Sequence, residues 1–586
     1  MKRQSPWSAL LALVAPHRAR MAVMSGVLAI AGALPLAGPL LIAKFIDDAA
    51  AGASRQQLLF LAGAYVAMGI ARQLMSVAVA WTAADLAWTV TNELRSRLTR
   101  HVMHLDLAFH RSTSPGELVS RVDGDVTALS EFVSRFAVKA VAAFVTLLGL
   151  IAIVFWRDPL IGLGLAAYLG LAIATVFLLR NRAVDEAASE QATTGRMLGE
   201  VEERLAGADD LRSNGSGSHA VATFQRASAA VLRSTLGRER QAVTLWVISN
   251  AVFVVGGLVV LAIAAALLQR DAITLGTAYL LFQYTQILRV PLGELADETE
   301  RVQRAAGGMI RTLQLLDESS AIADTGSATL PSGALGLELE SLGFNYADED
   351  DPLRVIDDVT LSVPAGTSIG VLGRTGSGKT TLARLLLRLV EPTDGSIRLG
   401  GVELDQIALA DLRARTGVVS QDVHLFSASI RDNMTLFDES ISDADVRNAL
   451  ASLDLLEWVE GMPDGLETTL GPAGSGLSAG EGQLIALTRL FLRSPDFVLL
   501  DEASSRIDPE TEARVTTAID RLLRGRTAVV IAHRLSTVER LDQILILDGG
   551  EAIEVGPTAA LRDDAASHYA RFLRAGSGAV IDEVPT

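Results

Sequence analysis

The sequence predicts a multidomain chain in which an all-α, six-helix transmembrane domain with long cytoplasmic helical extensions precedes an α/β domain of the P-loop NTPase class. Residues 1–318 carry six long apolar runs, whereas residues 337–574 alternate short apolar runs with amphipathic helices. In the second part, a glycine-rich loop ending in Lys-Thr lies between an apolar strand and a helix. Residues 319–336, rich in small and turn-forming side chains, are predicted to be a linker, and residues 575–586 a frayed tail.

Composition and charge exclude several classes of protein. Hydrophobic residues make up 49% of the 586 residues, and the mean hydropathy is +0.34, which favours membrane segments over a soluble protein. The formal net charge of −17 argues against nucleic acid as a partner, because binding a phosphate backbone requires basic surface. The chain has no cysteine, which excludes disulfides, thiolate catalysis and cysteine-ligated zinc.

Six apolar runs are candidates to cross the membrane, for which a helix needs about twenty residues. The predicted spans are residues 21–45, 58–79, 136–155, 159–179, 243–268 and 273–290. Polar side chains interrupt the sixth span at Gln283, Gln286 and Arg289, and such residues usually face a bundle interior or a water-filled cavity. Pro35 and Pro39 lie in the first span, where neighbouring helices can satisfy the carbonyls that a proline leaves free.

The segments between the spans predict the orientation. Two of them, residues 80–135 and 180–241, are long and rich in arginine, and the positive-inside rule places them in the cytoplasm together with both termini. Each has few Gly or Pro over tens of residues, so the membrane helices should continue into the cytoplasm, with one break each at residues 112–116 and 214–217. The high content of arginine and alanine favours a high-GC bacterium and therefore its inner membrane.

The strand 368–372, the loop 373–380 and the helical run 381–390 match G-x-x-x-x-G-K-[ST] in its required setting. The glycines let backbone N–H groups surround phosphates, Lys379 reaches the β- and γ-phosphates, and the hydroxyl of Thr380 can ligate Mg²⁺. ATP is the predicted ligand. The predicted binding residues of this segment are Gly373, Arg374, Thr375, Gly376, Ser377, Gly378, Lys379, Thr380 and Thr381.

A second apolar strand, residues 497–500, ends in Asp501-Glu502. An aspartate at a strand end near a P-loop can hold Mg²⁺, usually through water. The adjacent Glu502 is placed to polarise the attacking water as a general base. This pair supports ATP hydrolysis rather than ATP binding alone.

These residues and five further motifs resemble ABC transporters of the exporter type, over nearly the whole chain. The motifs are Phe344-Asn-Tyr346 before the P-loop, Val419-Ser-Gln421 after it, Leu477-Ser478-Ala479-Gly480-Glu481 ahead of the Asp501 strand, Ser504–Asp508 after that strand, and Ile531-Ala-His533. In the membrane half, residues 109–125 are similar to the segment that holds the family's first coupling helix, and residues 211–224 should hold the second.

The resemblance implies roles for these residues. Tyr346 would stack on adenine, His533 would contact the γ-phosphate, and Gln421 would sense Mg²⁺ and the attacking water and contact the membrane domain. Nucleotide contacts are also implied for the signature and D-loop residues Ser478, Gly480 and Asp508. The coupling helices would dock on a nucleotide-binding domain.

The signature departs from the family pattern in two places. Ala479 replaces a glycine and Glu481 replaces a glutamine, whereas the P-loop, Glu502 and His533 look intact. In the family, each ATP site takes its signature from the other nucleotide domain of a dimer. This pattern favours a heterodimer in which a second half-transporter is the partner. A homodimer that tolerates the two changes is the alternative, because Ser478 and Gly480 are kept.

The resulting hypothesis is an ATP-hydrolysing subunit that moves a small-molecule or lipid-like substrate, with export favoured and membrane lipid around it. An importer of the metal-chelate type on the same fold is one alternative, and a nucleotide-gated channel or regulatory subunit is another. Aromatic and amide side chains in and near the spans are candidates to line a substrate cavity, although aromatic residues in spans more often pack or anchor. They are Trp81, Trp88, Trp246, Phe253, Tyr279, Phe282, Gln283, Tyr284 and Gln286.

Overall fold

The computed structural model describes residues 5–157, 159–297, 299–346, 354–421, 423–501, 509–532 and 535–575. The predicted site residues Glu502, Asp508 and His533 lie outside these described residues. The chain divides into two compact units, one formed by Met1–Leu105 with Thr113–Ser319 and the other by Asp106–Ser112 with Ser320–Thr586. The first unit is helical and the second is α/β, which confirms the predicted fold class.

The first unit is built from long helices, with short helices where they turn. The helices up to the linker, including α4 of the second unit, are α1 (Pro6–Val14), α2 (Arg18–Ala50), α3 (Arg55–His104), α4 (Leu107–Ser112), α5 (Pro115–Val119), α6 (Asp125–Glu131), α7 (Ala137–Arg157), α8 (Pro159–Ala206), α9 (Ala208–Ser213), α10 (Gly217–Leu268), α11 (Leu275–Asp297) and α12 (Thr299–Asp317). Two π-helical turns, Ser120–Gly124 and Phe132–Phe136, join α5, α6 and α7. The predicted helix breaks coincide with the α4–α5 and α9–α10 connections, but the prediction of a single break in each segment was wrong. A second break lies between α3 and α4 at Leu105 and Asp106, and another lies between α8 and α9 at Gly207.

Three of these helices are much longer than a membrane is thick. α3, α8 and α10 have 50, 48 and 52 residues. At about 1.5 Å per residue they reach roughly 70–80 Å, more than twice the hydrocarbon core. Within the described residues, four helical stretches are long and apolar enough to span a membrane, and Pro159–Thr175 of α8 is a shorter apolar stretch. α11 is the sixth long helix and does not meet that criterion, as expected from its polar residues.

Hydroxyl groups of neighbouring helices bond to the proline-containing helix α2. Thr146 of α7 donates to the carbonyl of Gly32 at 3.0 Å, and Tyr284 of α11 donates to the carbonyl of Leu36 at 3.0 Å. Around these bonds, apolar side chains of α2, α7, α8 and α11 form one buried cluster. The stretch of α2 that contains Pro35 and Pro39 is therefore held by side-chain hydrogen bonds as well as by packing.

The second unit contains two sheets. The strands are β1 (Leu337–Phe344), β2 (Ile356–Val363), β3 (Ser368–Leu372), β4 (Asp394–Leu399), β5 (Val402–Glu403), β6 (Thr416–Val419), β7 (Phe497–Asp501), β8 (Thr527–Ile531), β9 (Gln543–Asp548) and β10 (Glu551–Pro557). β2, β1, β4 and β5 form an antiparallel sheet. The larger sheet has the order β10-β9-β3-β8-β7-β6, with β10 antiparallel to β9 and the remaining neighbours parallel.

Helices cover the larger sheet and form a separate helical region after β6. They are α13 (Lys379–Leu386), α14 (Leu409–Arg415), α15 (Ile430–Thr435), α16 (Asp443–Leu453), α17 (Leu456–Glu460), α18 (Ala479–Arg493), α19 (Pro509–Leu523), α20 (Leu535–Val538), α21 (Thr558–Asp563) and α22 (His568–Ala575). The helix predicted for residues 381–390 is α13, and it ends at Leu386, four residues earlier than predicted. The N–H of Arg388 bonds to the Leu385 carbonyl with Arg388 at φ 47°, a left-handed conformation that stops α13 after Leu386.

Candidate nucleotide site

The parallel strands bring the predicted motifs to one edge of the larger sheet. Val371 of β3 pairs with Ile531 of β8, and Ile531 pairs with Asp501 of β7. Val419 of β6 pairs with Leu500 next to it. Because parallel strands end at the same edge, the P-loop, Asp501 and the segment after β6 that carries Gln421 all begin there. This edge of the sheet is where a nucleotide site would form.

The P-loop connects β3 to α13 through a backbone that suits glycine. Gly376 and Gly378 adopt φ values of 87° and 99°, and a Cβ at Gly378 would come within 2.6 Å of the Val355 carbonyl. Gly378 also precedes the first residue of α13, so the free N–H groups of the helix start face the loop. The local sequence thus produces an anion-binding turn at the sheet edge.

Two buried polar side chains lie inside this turn. The ammonium group of Lys379 donates to the carbonyls of Gly373 at 2.5 Å and Arg374 at 2.8 Å. The hydroxyl oxygen of Ser377 is buried and has no hydrogen-bond partner among the residues that the structure describes. A buried cation and an unsatisfied hydroxyl at a helix N-terminus fit a phosphate group.

The other predicted residues of the loop differ in exposure. Thr380, the predicted Mg²⁺ ligand, is exposed, and so is Thr375. Thr381 is buried, and its hydroxyl lies 3.3 Å from the hydroxyl of Tyr346. The predicted nucleotide contact of Thr381 therefore competes with a hydrogen bond that holds the adenine-stacking candidate.

Asp501 and Gln421 lie at the ends of their strands. The carboxylate of Asp501 borders a cavity of about 250 Å³, whose other polar lining includes Gln483 and Thr537. Gln421 is exposed, two residues beyond the end of β6. Gln421 is therefore accessible to a ligand at the sheet edge, and Asp501 is partly exposed at the same edge.

Tyr346 is held by a cluster of cations. Arg384 donates to its hydroxyl oxygen at 2.9 Å, the Phe344 ring packs edge-on at 4.8 Å, and the guanidinium of Arg111 lies 5.0 Å from the ring centroid. Burial raises the pKa of Tyr346, but the hydrogen bonds with Thr381 and Arg384 and the two positive charges outweigh it, so the pKa lies below its ordinary value. The ring orientation is therefore fixed from several sides.

Sequence reasoning missed the roles of Arg384 and Arg111. Arg384 lies five residues after Lys379 on α13, outside the motifs that the sequence analysis used. Arg111 belongs to α4, within the segment predicted to hold the first coupling helix, and residues 106–112 group with the second unit. The resemblance of residues 109–125 to a coupling segment was the signal that could have directed attention to Arg111.

The altered signature caps a helix. Ser478 precedes α18, and its hydroxyl accepts from the N–H of Glu481 at 3.3 Å while its own N–H donates to the Glu481 carboxylate at 2.8 Å. The second carboxylate oxygen of Glu481 accepts from the indole N–H of Trp458 at 3.2 Å. Gly480 is buried and Ala479 is exposed. Both oxygens of Glu481 are thus engaged by donors of the same chain.

The candidate substrate-cavity residues separate into two groups. Tyr284 is fully buried and bonded to α2, so for this residue the packing interpretation is correct and the cavity interpretation is wrong. Phe253 packs edge-on against Tyr168 at 6.4 Å. Trp81, Trp88 and Trp246 are exposed, as expected of side chains that face lipid or a wide cavity.

Comparison with known proteins agrees with this geometry. The family described as the ABC transporter transmembrane region matches residues 22–292, and the family described as ABC transporter matches residues 356–505. An uncharacterized ABC transporter ATP-binding protein of Bacillus subtilis, YfiC, is 30% identical over 89% of this chain and 86% of its own. An ATP-dependent lipid A-core flippase of Photobacterium profundum is 30% identical over 85% of this chain and 84% of its own.

Two further matches extend the comparison. A putative multidrug export ATP-binding/permease protein of Bacillus subtilis, YgaD, is 28% identical over 90% of this chain and 92% of its own. A solved structure of a bacterial Atm1-family ABC exporter with ATP bound has a TM-score of 0.82 at 23% identity, covering 96% of this chain and 99% of the other. The last match supports the fold alone.

Proposed function

The chain belongs to the ABC transporter family, with the membrane region of that family fused to its ATPase domain, and from this premise we propose that it exports a lipid-like or other small amphipathic substrate. It is a multi-pass membrane protein and an ATPase coupled to transport. The observation that carries the proposal is the convergence of the P-loop, Asp501 and the Gln421 segment on one sheet edge of a chain that also carries, within its described residues, four helical stretches long and apolar enough to span a membrane.

The proposed site holds ATP through the P-loop residues 373–381, with Lys379 and Ser377 on the phosphates. Mg²⁺, when bound, would neutralise phosphate charge, and Thr380, Asp501 and Gln421 are the residues placed to hold it. Glu502 is proposed as the general base for the attacking water and His533 as the γ-phosphate contact. Tyr346 presents its ring to adenine, with its hydroxyl anchored by Arg384.

Export rather than import is supported by the relatives. The Photobacterium profundum protein is named a lipid A-core flippase, and the second Bacillus subtilis protein is named a multidrug exporter. The first name describes movement of a lipid and the second describes export of drugs. A lipid-like or amphipathic substrate would suit the exposed aromatic side chains Trp81, Trp88 and Trp246. We place the protein in the bacterial inner membrane with its nucleotide-binding domain in the cytoplasm, as the arginine-rich segments predict.

The proposed assembly is a dimer with a second half-transporter, and a heterodimer is favoured. Glu481 supports this choice, because its carboxylate lies in the first turn of α18 and neutralises part of the positive helix end that would face a partner's phosphates. It also occupies the N–H of Ser478, removing one donor from that surface. A signature weakened in this way would leave the P-loop, Glu502 and His533 of this chain to work with the signature of another.

The test is ATP-driven transport in inside-out membrane vesicles from cells that express this chain, with the Glu502→Gln variant as control. Accumulation of a fluorescent amphipathic dye that needs ATP and Glu502 would support export. ATP-driven depletion of preloaded dye would instead identify an importer.

A second experiment, on the purified chain in lipid nanodiscs, distinguishes a homodimer from a heterodimer. Glu502-dependent ATPase activity of the chain alone would establish a homodimer, whereas ATP binding without hydrolysis would require a partner.

A further inference from the structure

The ring of Tyr346, proposed above as the platform for adenine, is in contact with an arginine of α4. The guanidinium carbon of Arg111 lies over this ring, 5.0 Å from its centroid. A cation within about 6 Å of an aromatic centroid is attracted by the negative charge of the ring face. Arg111 therefore occupies a surface of Tyr346 of the kind that a stacked base uses.

Other contacts hold the Tyr346 ring in place. Its hydroxyl oxygen accepts from Arg384 at 2.9 Å and lies 3.3 Å from the hydroxyl of Thr381, and the Phe344 ring packs edge-on against it at 4.8 Å. Arg384 and Thr381 belong to α13, the helix that begins at the phosphate-binding loop. Because Tyr346 is anchored to α13 whereas Arg111 is exposed, an incoming base would move the guanidinium into water more readily than it would move the ring.

Helix α4 is attached to the second unit near both of its ends. At its start, the carboxylate of Asp106 accepts from the N–H of Phe109 at 3.0 Å and from the N–H of Ala321 at 2.6 Å. Near its other end, Arg111 contacts Tyr346. Loss of the second contact would release the end of α4 that continues into the first unit, while Asp106 keeps the start of the helix in place.

We propose that Arg111 covers the base-stacking face of Tyr346 until the adenine ring of ATP displaces it. Arg111 is then a positioning residue of the nucleotide site, through which occupation by a base, and not by phosphates alone, releases the end of α4. The inference rests on the proposed function, because it takes ATP as the ligand and Tyr346 as its base contact. A ligand shifts an equilibrium only through a difference in affinity between two states, and competition for one ring face supplies that difference.

The first experiment measures ligand affinity of the full chain in lipid nanodiscs, in buffer without Mg²⁺ so that ATP is bound but not hydrolysed. ATP is compared with tripolyphosphate, which carries the phosphates and no base, in competition with a fluorescent nucleotide. Arg111→Ala is the test variant and Arg524→Ala is the matched control. Arg524 is also exposed and precedes β8, at the sheet edge opposite the nucleotide site.

The quantity compared is the ratio of ATP affinity to tripolyphosphate affinity. We expect Arg111→Ala to raise this ratio about two- to fivefold, the range that an exposed cation–π contact allows, and Arg524→Ala to leave it unchanged. Arg111→Lys keeps a cation and should return the ratio towards the wild-type value. In a Tyr346→Ala background, Arg111→Ala should have no effect, because the shared ring is gone. An unchanged or lower ratio in Arg111→Ala would overturn the proposal.

The second experiment measures the release of α4. The chain has no cysteine, so a Ser112→Cys variant provides a single labelling site at the exposed end of that helix. A spin label at this site should become more mobile when ATP is added, and tripolyphosphate should have no such effect. With Arg111→Ala added, the label should be mobile before any nucleotide is present. A label that ATP leaves unchanged, in a chain that binds ATP, would refute the proposed release.

A thermal measurement separates failure of this inference from failure of the proposed function. ATP and tripolyphosphate should both raise the unfolding temperature of the wild type, because a ligand that binds only the folded state stabilises it. If neither ligand does so, the proposed function itself fails. If both do so in the wild type and in folded Arg111→Ala, and the affinity ratio is the same in the two chains, only the role of Arg111 is refuted.

Discussion

The indole N–H of Trp458 donates a hydrogen bond to the carboxylate of Glu481 at 3.2 Å, so a residue of α17 holds the residue that departs from the ABC signature. A glutamine at this position offers one acceptor oxygen, whereas the carboxylate offers two and uses both. The substitution is thus built into the local structure of α18. In the proposed dimer, the negative charge of Glu481 would lie on the surface that meets the phosphates of the partner's ATP.

Replacing Glu481 with glutamine should therefore separate stability from activity. Glu481→Gln keeps the shape but loses one charge-assisted acceptor, and we expect it to lower the free energy of unfolding by about 1 kcal/mol. It also removes negative charge from the start of α18, so the ATPase activity of the chain alone should rise. Denaturant unfolding and a phosphate-release assay in nanodiscs measure the two effects.

Trp458→Phe is the matched control for this prediction. It removes the indole donor and retains an aromatic ring, so stability should fall without a gain in activity. An equal rise in ATPase activity in Trp458→Phe and Glu481→Gln would contradict this prediction. It would show that looser packing of α18, and not removal of the Glu481 charge, raises the activity.

The Asp125–Arg311 pair should stabilise the helical unit more than its exposed counterparts do. Arg311 of α12 donates two hydrogen bonds to the buried carboxylate of Asp125 on α6, and these raise the pKa of Arg311. Because Arg311 itself is half exposed, we expect Asp125→Asn to cost about 1–2 kcal/mol rather than the larger value of a fully buried pair. Thermal unfolding of detergent-solubilised chain measures the change.

An exposed ion pair in the same unit provides the comparison. Arg20 of α2 and Asp85 of α3 lie 3.4 Å apart with both side chains exposed, and Asp85→Asn should change the free energy of unfolding by less than about 0.5 kcal/mol. Equal losses in Asp125→Asn and Asp85→Asn would contradict the argument from burial and bidentate geometry.

Tyr346 should titrate at lower pH than an ordinary tyrosine. Although burial raises its pKa, the hydrogen bonds with Thr381 and Arg384 and the charges of Arg384 and Arg111 lower it further. Because the folded pKa lies below the unfolded value, this group adds stability that is present above the unfolded pKa and is lost as the pH falls through the folded pKa.

Absorbance at 295 nm in alkaline buffer measures this titration. The difference between wild type and Tyr346→Phe isolates one phenol out of six tyrosines, and its midpoint should lie below that of free tyrosine. Arg384→Met should move the midpoint upward, because it removes a hydrogen bond and a positive charge. An unchanged midpoint in Arg384→Met would refute the assigned cause.

The sequence predicted those parts of the site that depend on local pattern. The P-loop forms between β3 and α13 because its glycines, lysine and flanking apolar residues are contiguous in the chain. By contrast, the bonds of Trp458 to Glu481 and of Arg384 to Tyr346 join segments that meet only after the chain folds, and nothing in either local pattern encodes the partner. The predicted end of α13 was wrong because helix propensity does not indicate that Arg388 adopts the left-handed backbone conformation that ends the helix.

The last prediction concerns the buried hydroxyl of Ser377. Because that oxygen has no partner among the described residues, its burial in the nucleotide-free chain costs free energy that binding a phosphate would recover. Ser377→Ala removes the unsatisfied group, so we expect the nucleotide-free chain to be unchanged or up to about 1 kcal/mol more stable, while ATP binds about tenfold more weakly. Lys379→Gln, the comparison variant, should weaken ATP binding more strongly, because it deletes a charge that is also bonded to two loop carbonyls. Thermal unfolding with and without ATP, together with fluorescent nucleotide titration, measures both quantities. If Ser377→Ala loses stability without ATP and keeps wild-type ATP affinity, the hydroxyl stabilises the P-loop and does not bind the phosphate.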